Sequence, residues 1–352
     1  VERSSFSYRR DPDSSMKIAI IGCGKQAPKH IGGLRSSRGV EVVLVDADPA
    51  LAQALAEETG VEWAETVQEV LDDPGVVAID ICTPVTSHVE LIEAGLAAGK
   101  DFFCEKPLCS TSAEAREIQA QLEGSGRIGM VGFNYRFAPA MAECKRVLSG
   151  VAETGVSPVL GKITSALLRV GGRGGHQLWK HQKAEGGGAI NEMLIHLVDL
   201  SNWFFGPIEH AHSFVEELLR PERPIAGQLE KVDAEDFVLV RLTSRSGIES
   251  FCQADLITPS FMHYIDIQGE NGTFFGSIQP DMPSFLFCVE AAGGYDQGRT
   301  DFDFGHRNFF QAQMTTFVDA LHDRVQPDGC GVEDSINLLD AFEQIRAESP
   351  GS

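Results

Sequence analysis

No stretch of this sequence approaches the roughly 20 consecutive apolar residues that a membrane-spanning helix needs. The longest apolar runs are only a few residues. No N-terminal segment has the basic, apolar and small-residue order of a secretory signal. Positive charge is scarce: 29 Lys and Arg stand against 51 Asp and Glu, a formal charge of −22. So acidic a surface repels phosphate backbones and anionic lipid heads, which argues against nucleic acid and membranes as partners. A small anionic ligand stays possible, because a local site can invert the global sign. The eight cysteines (Cys23, Cys82, Cys104, Cys109, Cys144, Cys252, Cys288 and Cys330) include no CxxC pair. Neither a disulfide framework nor a zinc cluster is indicated, and no metal is expected. Repeats and low-complexity tracts are absent too. What is left is an ordinary globular composition, 43% apolar and 23% charged, expected in the cytoplasm. At 352 residues the chain is long enough for two domains.

Residues 1–15 are polar and aperiodic and are expected to be a disordered leader. From Met16 the pattern is strand–helix alternation. Apolar strands at Lys17–Gly22, Glu41–Asp46, Val76–Cys82, Asp101–Glu105 and Arg127–Phe133 alternate with helical stretches. Such runs, apolar on both faces, predict a doubly wound parallel sheet over 16–136. After about Ala138 the strands alternate apolar and polar, as in Lys162–Val170, Phe237–Thr243, Ile248–Leu256, His263–Gly269 and Gly272–Ile278. Turn signals at Ser246-Gly247 and Asn271-Gly272 separate them. This predicts an α+β domain over 137–330 with an open, mostly antiparallel sheet. A C-terminal helix within 331–352 is expected to pack back on the first domain. Helices are expected on one face of that sheet only, so its other face predicts a homodimer or homotetramer.

The first strand runs into Gly22-Cys23-Gly24-Lys25-Gln26-Ala27, a GxGxxA turn. One glycine bends such a turn, a second admits a pyrophosphate, and the small third residue lets helix and strand pack closely. The second strand ends in Asp46, about 20 residues on, where a carboxylate accepts both ribose hydroxyls of NAD and repels the 2′-phosphate of NADP. NAD is therefore the expected cofactor. Two further features carry chemistry. Glu105-Lys106-Pro107 follows an apolar strand, so Lys106 falls at a strand's carboxyl end, where open α/β sheets place ligands, and can stabilise a developing oxyanion. Glu192, His196 and Asp199 recur at i, i+4 and i+7, a polar stripe along an otherwise apolar helix. His196 is the natural general base of that stripe, because imidazole titrates near neutrality, and Glu192 can orient it or bind a substrate hydroxyl.

Three longer segments, Thr83–Leu108, Gly132–Ala140 and Gly186–Leu200, join the opening GCGKQAPKH in a recognisable set. Together they resemble the glucose–fructose oxidoreductase, inositol dehydrogenase and rhizopine-catabolism family, written Gfo/Idh/MocA, over essentially all of the chain from Met16. The resemblance implies a Rossmann domain, an open-sheet second domain, and NAD-linked hydride exchange at a sugar or polyol carbon. It implies catalytic roles for Lys106, His196 and Glu192. Cofactor contacts are expected from Gly22, Gly24, Lys25, Gln26, Ala27, Asp46, Thr83, Pro84, His88, Glu105, Lys106, Pro107 and Asn134. Substrate contacts are expected from Lys106, Tyr135, Arg136, Glu192, His196 and Asp199. Arg173, Trp179 and Lys180, in the glycine-rich segment Gly171–Gly188 that also holds His176 and His181, complete the substrate set. Two positions depart from the family pattern: Glu192 stands where Asp is usual, and Leu194 where Gly is usual. An NAD-dependent glycosidase or a non-catalytic NAD-binding sensor of the same superfamily are the alternatives.

Overall fold

The computed structural model describes residues 15–173 and 177–348, which form two compact units. The expected leader, apart from Ser15, lies outside the described residues, as do Gly174, Gly175 and His176 of the glycine-rich segment. The first unit runs to Asn134 and recovers Asn308–Ile336; the second comprises Tyr135–Arg307 and the chain from Asn337.

The first unit is a six-stranded parallel sheet in the order β3-β2-β1-β4-β5-β6. Its elements are β1 (Met16–Ile21), α1 (Ala27–Arg35), β2 (Val40–Val45), α2 (Pro49–Thr59), β3 (Glu62–Trp63), α3 (Val67–Asp72), β4 (Val76–Ile81), α4 (His88–Ala97), β5 (Asp101–Cys104), α5 (Ser112–Ser125) and β6 (Gly129–Val131). The strand order reverses at β1 and β4, and ligands of such sheets bind at that switch point, beyond the strands' carboxyl ends. Strands β1, β4 and β5 are buried almost throughout, which is why they read as unbroken apolar runs. The two-residue edge strand β3, exposed to solvent, has no such signature and was not expected from the sequence.

The second unit starts with α6 (Pro139–Val147) and α7 (Val151–Thr154). Its strands are β7 (Val156–Ser157), β8 (Gly161–Gly171), then, after the site helix α8 (Ile195–Phe205), β9 (Ile208–Glu217), β10 (Glu222–Ile225), β11 (Gln228–Lys231), β12 (Phe237–Ser244), β13 (Glu249–Asp255), β14 (Met262–Gly269), β15 (Gly272–Gly276), β16 (Phe285–Cys288) and β17 (Gly298–Asp301). The large sheet runs β17-β16-β15-β14-β8-β13-β12-β9, with β7 paired to β8, and only β8–β13 is parallel. Strands β10 and β11 form a separate hairpin. One sheet face, built from residues such as Leu168, Val240, Cys252 and Ile267, is fully buried, and α8 packs on it. The opposite face presents Leu167, Phe214 and Phe287 to solvent. Strands β7, β9, β10, β11, β16 and β17 are not among those expected from the sequence. The outermost strands β9 and β17 mix polar side chains into both faces and lose the alternation.

The C-terminal assignment needs correction. Residues 308–330, expected in the second domain, belong to the first unit, and of the terminal helix expected to pack back on the first domain only the part up to Ile336 does so. Helix α9 (Phe309–Asp323) lies on α1 so closely that a Cβ on Gly33 would come within 2.7 Å of Met314. Arg324 pairs with buried Asp101 at 2.5 Å, and Val131 N–H donates to the Cys330 carbonyl at 2.8 Å. The last helix, α10 (Val332–Ala347), is divided: only its first residues count with the first unit. Farther along, Gln344 accepts from Ala211 N–H at 2.9 Å and Arg346 donates to Asn191, both in the second unit.

Candidate active site

In the first unit β1 passes into the glycine turn at Gly22, whose φ of +98° suits glycine alone. A Cβ there would also stand 2.9 Å from the Cys82 carbonyl and from the Thr83 methyl. Gly24 has no atom within 4 Å of its missing Cβ, so a ligand backbone can approach that side. Ala27 is fully buried at the start of α1, whose N-terminus carries no side-chain cap. The positive end of the helix dipole there favours an anion. Asp46 is half-buried and already at work: its two oxygens accept from Cys23 N–H at 2.7 Å and Asp48 N–H at 2.9 Å. Each keeps a lone-pair site, enough for a pair of ribose hydroxyls. Gln26 Oε1 and Asn134 Oδ1 are buried acceptors with no hydrogen-bond partner among the described residues. Orphaned buried oxygens are costly, and a dinucleotide's hydroxyl or amide hydrogens would satisfy them. The donor set thus fits NAD.

Behind Lys106 lies a network that the sequence reading did not anticipate. His30, on the buried face of α1, sits between two carboxylates: Nδ1 is 2.9 Å from Asp80 and Nε2 is 2.9 Å from Glu105. Both the His30 and Asp80 side chains are wholly buried. Burial opposes a charge on His30, but the Asp80 carboxylate outweighs it and holds the imidazole well above its ordinary value. Burial would likewise raise Glu105, yet the His30 hydrogen bond and charge, with the Lys106 charge, hold it below the usual carboxylate range. Its second oxygen accepts from Lys106 N–H at 3.2 Å. Glu105, expected at the cofactor, is therefore buried and engaged in fixing the backbone of the Lys106 segment, in which the Lys106–Pro107 peptide is cis. Cys82 completes the cluster, 3.3 Å from His30 Nδ1, and burial pushes its thiol up to about 12. His30, Asp80 and Cys82 offer donors within 4.8 Å of one another, but their mutual hydrogen bonds satisfy them, and a protonated thiol is a poor ligand. The signal was legible: Asp80 is an acid inside the apolar run VVAIDIC, and a buried carboxylate demands a cation.

His88, expected beside the nicotinamide, is 1% exposed. Nδ1 lies 2.9 Å from the Pro107 carbonyl and Nε2 2.9 Å from the Thr83 carbonyl, so the ring is wedged between the two loops and, when neutral, donates to one of them. Burial lowers its basicity, partly offset by those carbonyls. Lys106 and Pro107 are half-buried, Lys25 and Pro84 exposed, all in the same unit.

In the second unit the polar stripe does not run along one regular helix. Ile190–Leu194 is a π-helical turn and only Ile195–Phe205 is α-helical. Such turns re-aim side chains and are common at functional sites. The turn is seeded by Glu235, whose carboxylate accepts from Ile190 N–H at 3.0 Å and whose carbonyl accepts from Ala189 N–H at 2.9 Å. Gly188, at φ +111°, admits it: a Cβ would lie 2.2 Å from the Glu235 carboxylate. The three stripe residues meet three different fates. Glu192 forms an ion pair with Lys180. His196 stacks on Tyr135, ring centroids 4.1 Å apart, and is half-buried on a helix whose other residues, except Trp203, are buried. Asp199 is spent on Arg136, which donates Nε at 3.1 Å and Nη2 at 2.6 Å in a pair about 2–3% exposed. Arg136 and Asp199, expected to touch substrate, are paired with each other in the core, where either charge left alone would be costly. Tyr135 also meets His263 edge-on at 5.2 Å, and burial pushes His263 down to about 3, a neutral ring that went unnoticed in the sequence. Trp179 is 41% exposed with Lys180 Nζ 4.9 Å over its ring, and Arg173 is exposed.

Residues 16–133 match the model of an oxidoreductase family with an NAD-binding Rossmann fold, Gfo/Idh/MocA, and residues 156–275 match that family's C-terminal domain. The scyllo-inositol 2-dehydrogenase (NAD+) of Bacillus subtilis is 27% identical over 333 residues, 93% of this chain and 92% of its own. The levoglucosan dehydrogenase of Pseudarthrobacter phenanthrenivorans is 27% identical over 253 residues, 66% of this chain and 64% of its own. A levoglucosan dehydrogenase solved in complex with NADH superposes with a TM-score of 0.83 at 21% identity, covering 96% of this chain and 98% of that one.

Proposed function

This chain belongs to the Gfo/Idh/MocA family of oxidoreductases, and from that premise we propose that it is an NAD-dependent dehydrogenase of a sugar or polyol hydroxyl. NAD, bound by the glycine turn, Asp46 and the N-terminus of α1, supplies the acceptor for the hydride that leaves the substrate carbon. Lys106 donates a hydrogen bond to the reacting oxygen and stabilises its developing negative charge. His196 takes the hydroxyl proton as general base. Glu192, held by Lys180, accepts from a neighbouring hydroxyl, and Trp179 offers a face to the sugar ring. The observation that carries this reading is the state of His196, the one titratable side chain of α8 left half-buried while Asp199 is locked to Arg136.

A panel of sugars and polyols scored by NADH absorbance tests it. Sustained NADH formation with a member of the panel supports the dehydrogenase. Release of an aglycone without net NADH would replace it by a transiently oxidising glycosidase.

Two further parts of the reading rest on other features. The apolar outer sheet face, with Leu167 43%, Phe214 48% and Phe287 44% exposed, supports a homodimer or homotetramer formed through it. A mass of 38.2 kDa by light scattering at micromolar concentration would refute that. The eight free cysteines support a reducing compartment, the cytoplasm. Among the described residues no helix is long and apolar enough to cross a membrane.

A further inference from the structure

The second unit carries a cleft of about 450 Å³ in which Arg173, Arg220 and Arg223 converge beside His181, with Glu222 the one acid among the lining residues. In a chain of formal charge −22, with 29 basic residues in all, such a concentration needs an explanation. Arg223 is 6% exposed and fixed from behind: its terminal nitrogens donate to Asp236 at 2.8 Å and to the Leu256 carbonyl at 2.7 Å. Its Nε is buried with no hydrogen-bond partner among the described residues. Asp236 also accepts from Leu219 and Arg220 N–H, at 2.7 and 2.9 Å, which sets the backbone from which the Arg220 side chain projects. Arg220 is exposed, and its guanidinium has no carboxylate partner among the described residues. Arg173 donates Nε to the Pro259 carbonyl at 2.6 Å and is not paired with an acid there either. Pro224, Ile225 and Leu256 supply apolar wall.

The cleft adjoins the π-helical turn Ile190–Leu194 through two pairs of consecutive residues. Lys180 holds Glu192 while its neighbour His181 lines the cleft. The Cβ position of Gly172 lies 3.4 Å from the Met193 methyl, and its neighbour Arg173 lines the cleft. We propose that this cleft is an oxyanion subsite and that the sugar this protein acts on carries a carboxylate or phosphate group. Guanidinium forks recognise both groups with paired, charge-assisted hydrogen bonds, and the apolar wall suits the face of a sugar ring. The inference rests on the sugar-dehydrogenase reading only for the word substrate; the anion site itself does not.

The test compares D-glucuronate, D-galacturonate and D-glucose 6-phosphate with D-glucose and myo-inositol, by calorimetric binding and by NADH formation. Proteins are the wild type and Arg220→Gln, an exposed position outside the catalytic set. At least one acidic sugar should bind roughly 10-fold tighter than the neutral ones, since one charge-assisted hydrogen bond alone is worth about that factor. Arg220→Gln should raise its Kd and KM about 10-fold, leave kcat within about twofold, and leave the neutral sugars unchanged. A preference for uronates assigns a carboxylate, and a preference for the 6-phosphate assigns a phosphate. Neutral sugars binding as tightly as all three acids, or an Arg220→Gln protein indistinguishable from wild type, would overturn the proposal even if dehydrogenation of neutral polyols is found. Tight binding of an acid with no NADH from any sugar would instead leave the anion site standing and remove the dehydrogenase reading.

Discussion

Replacing His30 by Leu deletes the cation that two buried carboxylates share. Asp80 and Glu105 lose hydrogen bonds of 2.9 Å each and face one another across an apolar gap. Removing one member of a buried pair typically costs about 3–5 kcal/mol, because the charge left behind has neither water nor partner. For a unit of this size that corresponds to a fall in Tm of about 6 to 20 °C. The pH dependence carries the sign. His30 holds its proton in the folded state well above its ordinary value of 6.5. The unfolded chain gives that proton up near 6.5, so the His30 contribution is complete below that pH and fades as pH rises through the folded pKa. Glu105 is held below its ordinary 4.5, so its contribution is complete above that pH and is lost as pH falls through the folded pKa. The network therefore supports the wild type most fully between about pH 4.5 and 6.5, and His30→Leu should flatten the alkaline side of the stability profile. Hydrogen exchange of the β1, β4 and β5 amides localises the loss to the first unit, and adding Asp80→Asn to His30→Leu should recover part of it. A His30→Leu protein that melts within about 2 °C of wild type from pH 5 to 8 would sink the reasoning, because no buried cation could then be at stake.

Asp46→Ser combined with Ala47→Arg should narrow or reverse the preference for NAD over NADP, measured as a ratio of kcat/KM; a wild type that already prefers NADP tenfold contradicts the ribose argument. Lys106→Met and His196→Asn should each lower kcat by about 10² to 10⁴ with NAD affinity nearly intact, and only His196→Asn should remove the fall in rate on the acid side. Near wild-type turnover in His196→Asn would move the base to another group. Gly188→Ala should displace the Glu235 carboxylate, which a Cβ would meet at 2.2 Å, and cost about 1–3 kcal/mol with loss of turnover; unchanged melting and activity would show that the π-helical turn does not depend on that approach.

The periodicities were enough for the parallel sheet. Strands buried on both faces spell themselves as apolar runs, and GCGKQA followed by Asp46 is read from local spacing alone. The same holds for Lys106 at the end of β5 and for a polar stripe through an apolar helix. The partners of those groups were not legible, because a pair is a property of two distant segments. His30 meets Glu105 across 75 residues, Arg136 meets Asp199 across 63, and Arg324 meets Asp101 across 223. Spacing at i, i+4 and i+7 assumes a regular helix, and the π-helical turn at Ile190–Leu194 breaks that assumption through a carboxylate, Glu235, some 45 residues later. The return of Asn308–Ile336 to the first unit is decided the same way, by the surface of α1 that α9 covers. Local sequence carries which residues are polar, apolar or bent. Which charge neutralises which is set by desolvation in the folded core, and so only the tertiary structure separates His196, left half-buried, from Asp199, paired with Arg136 in the core.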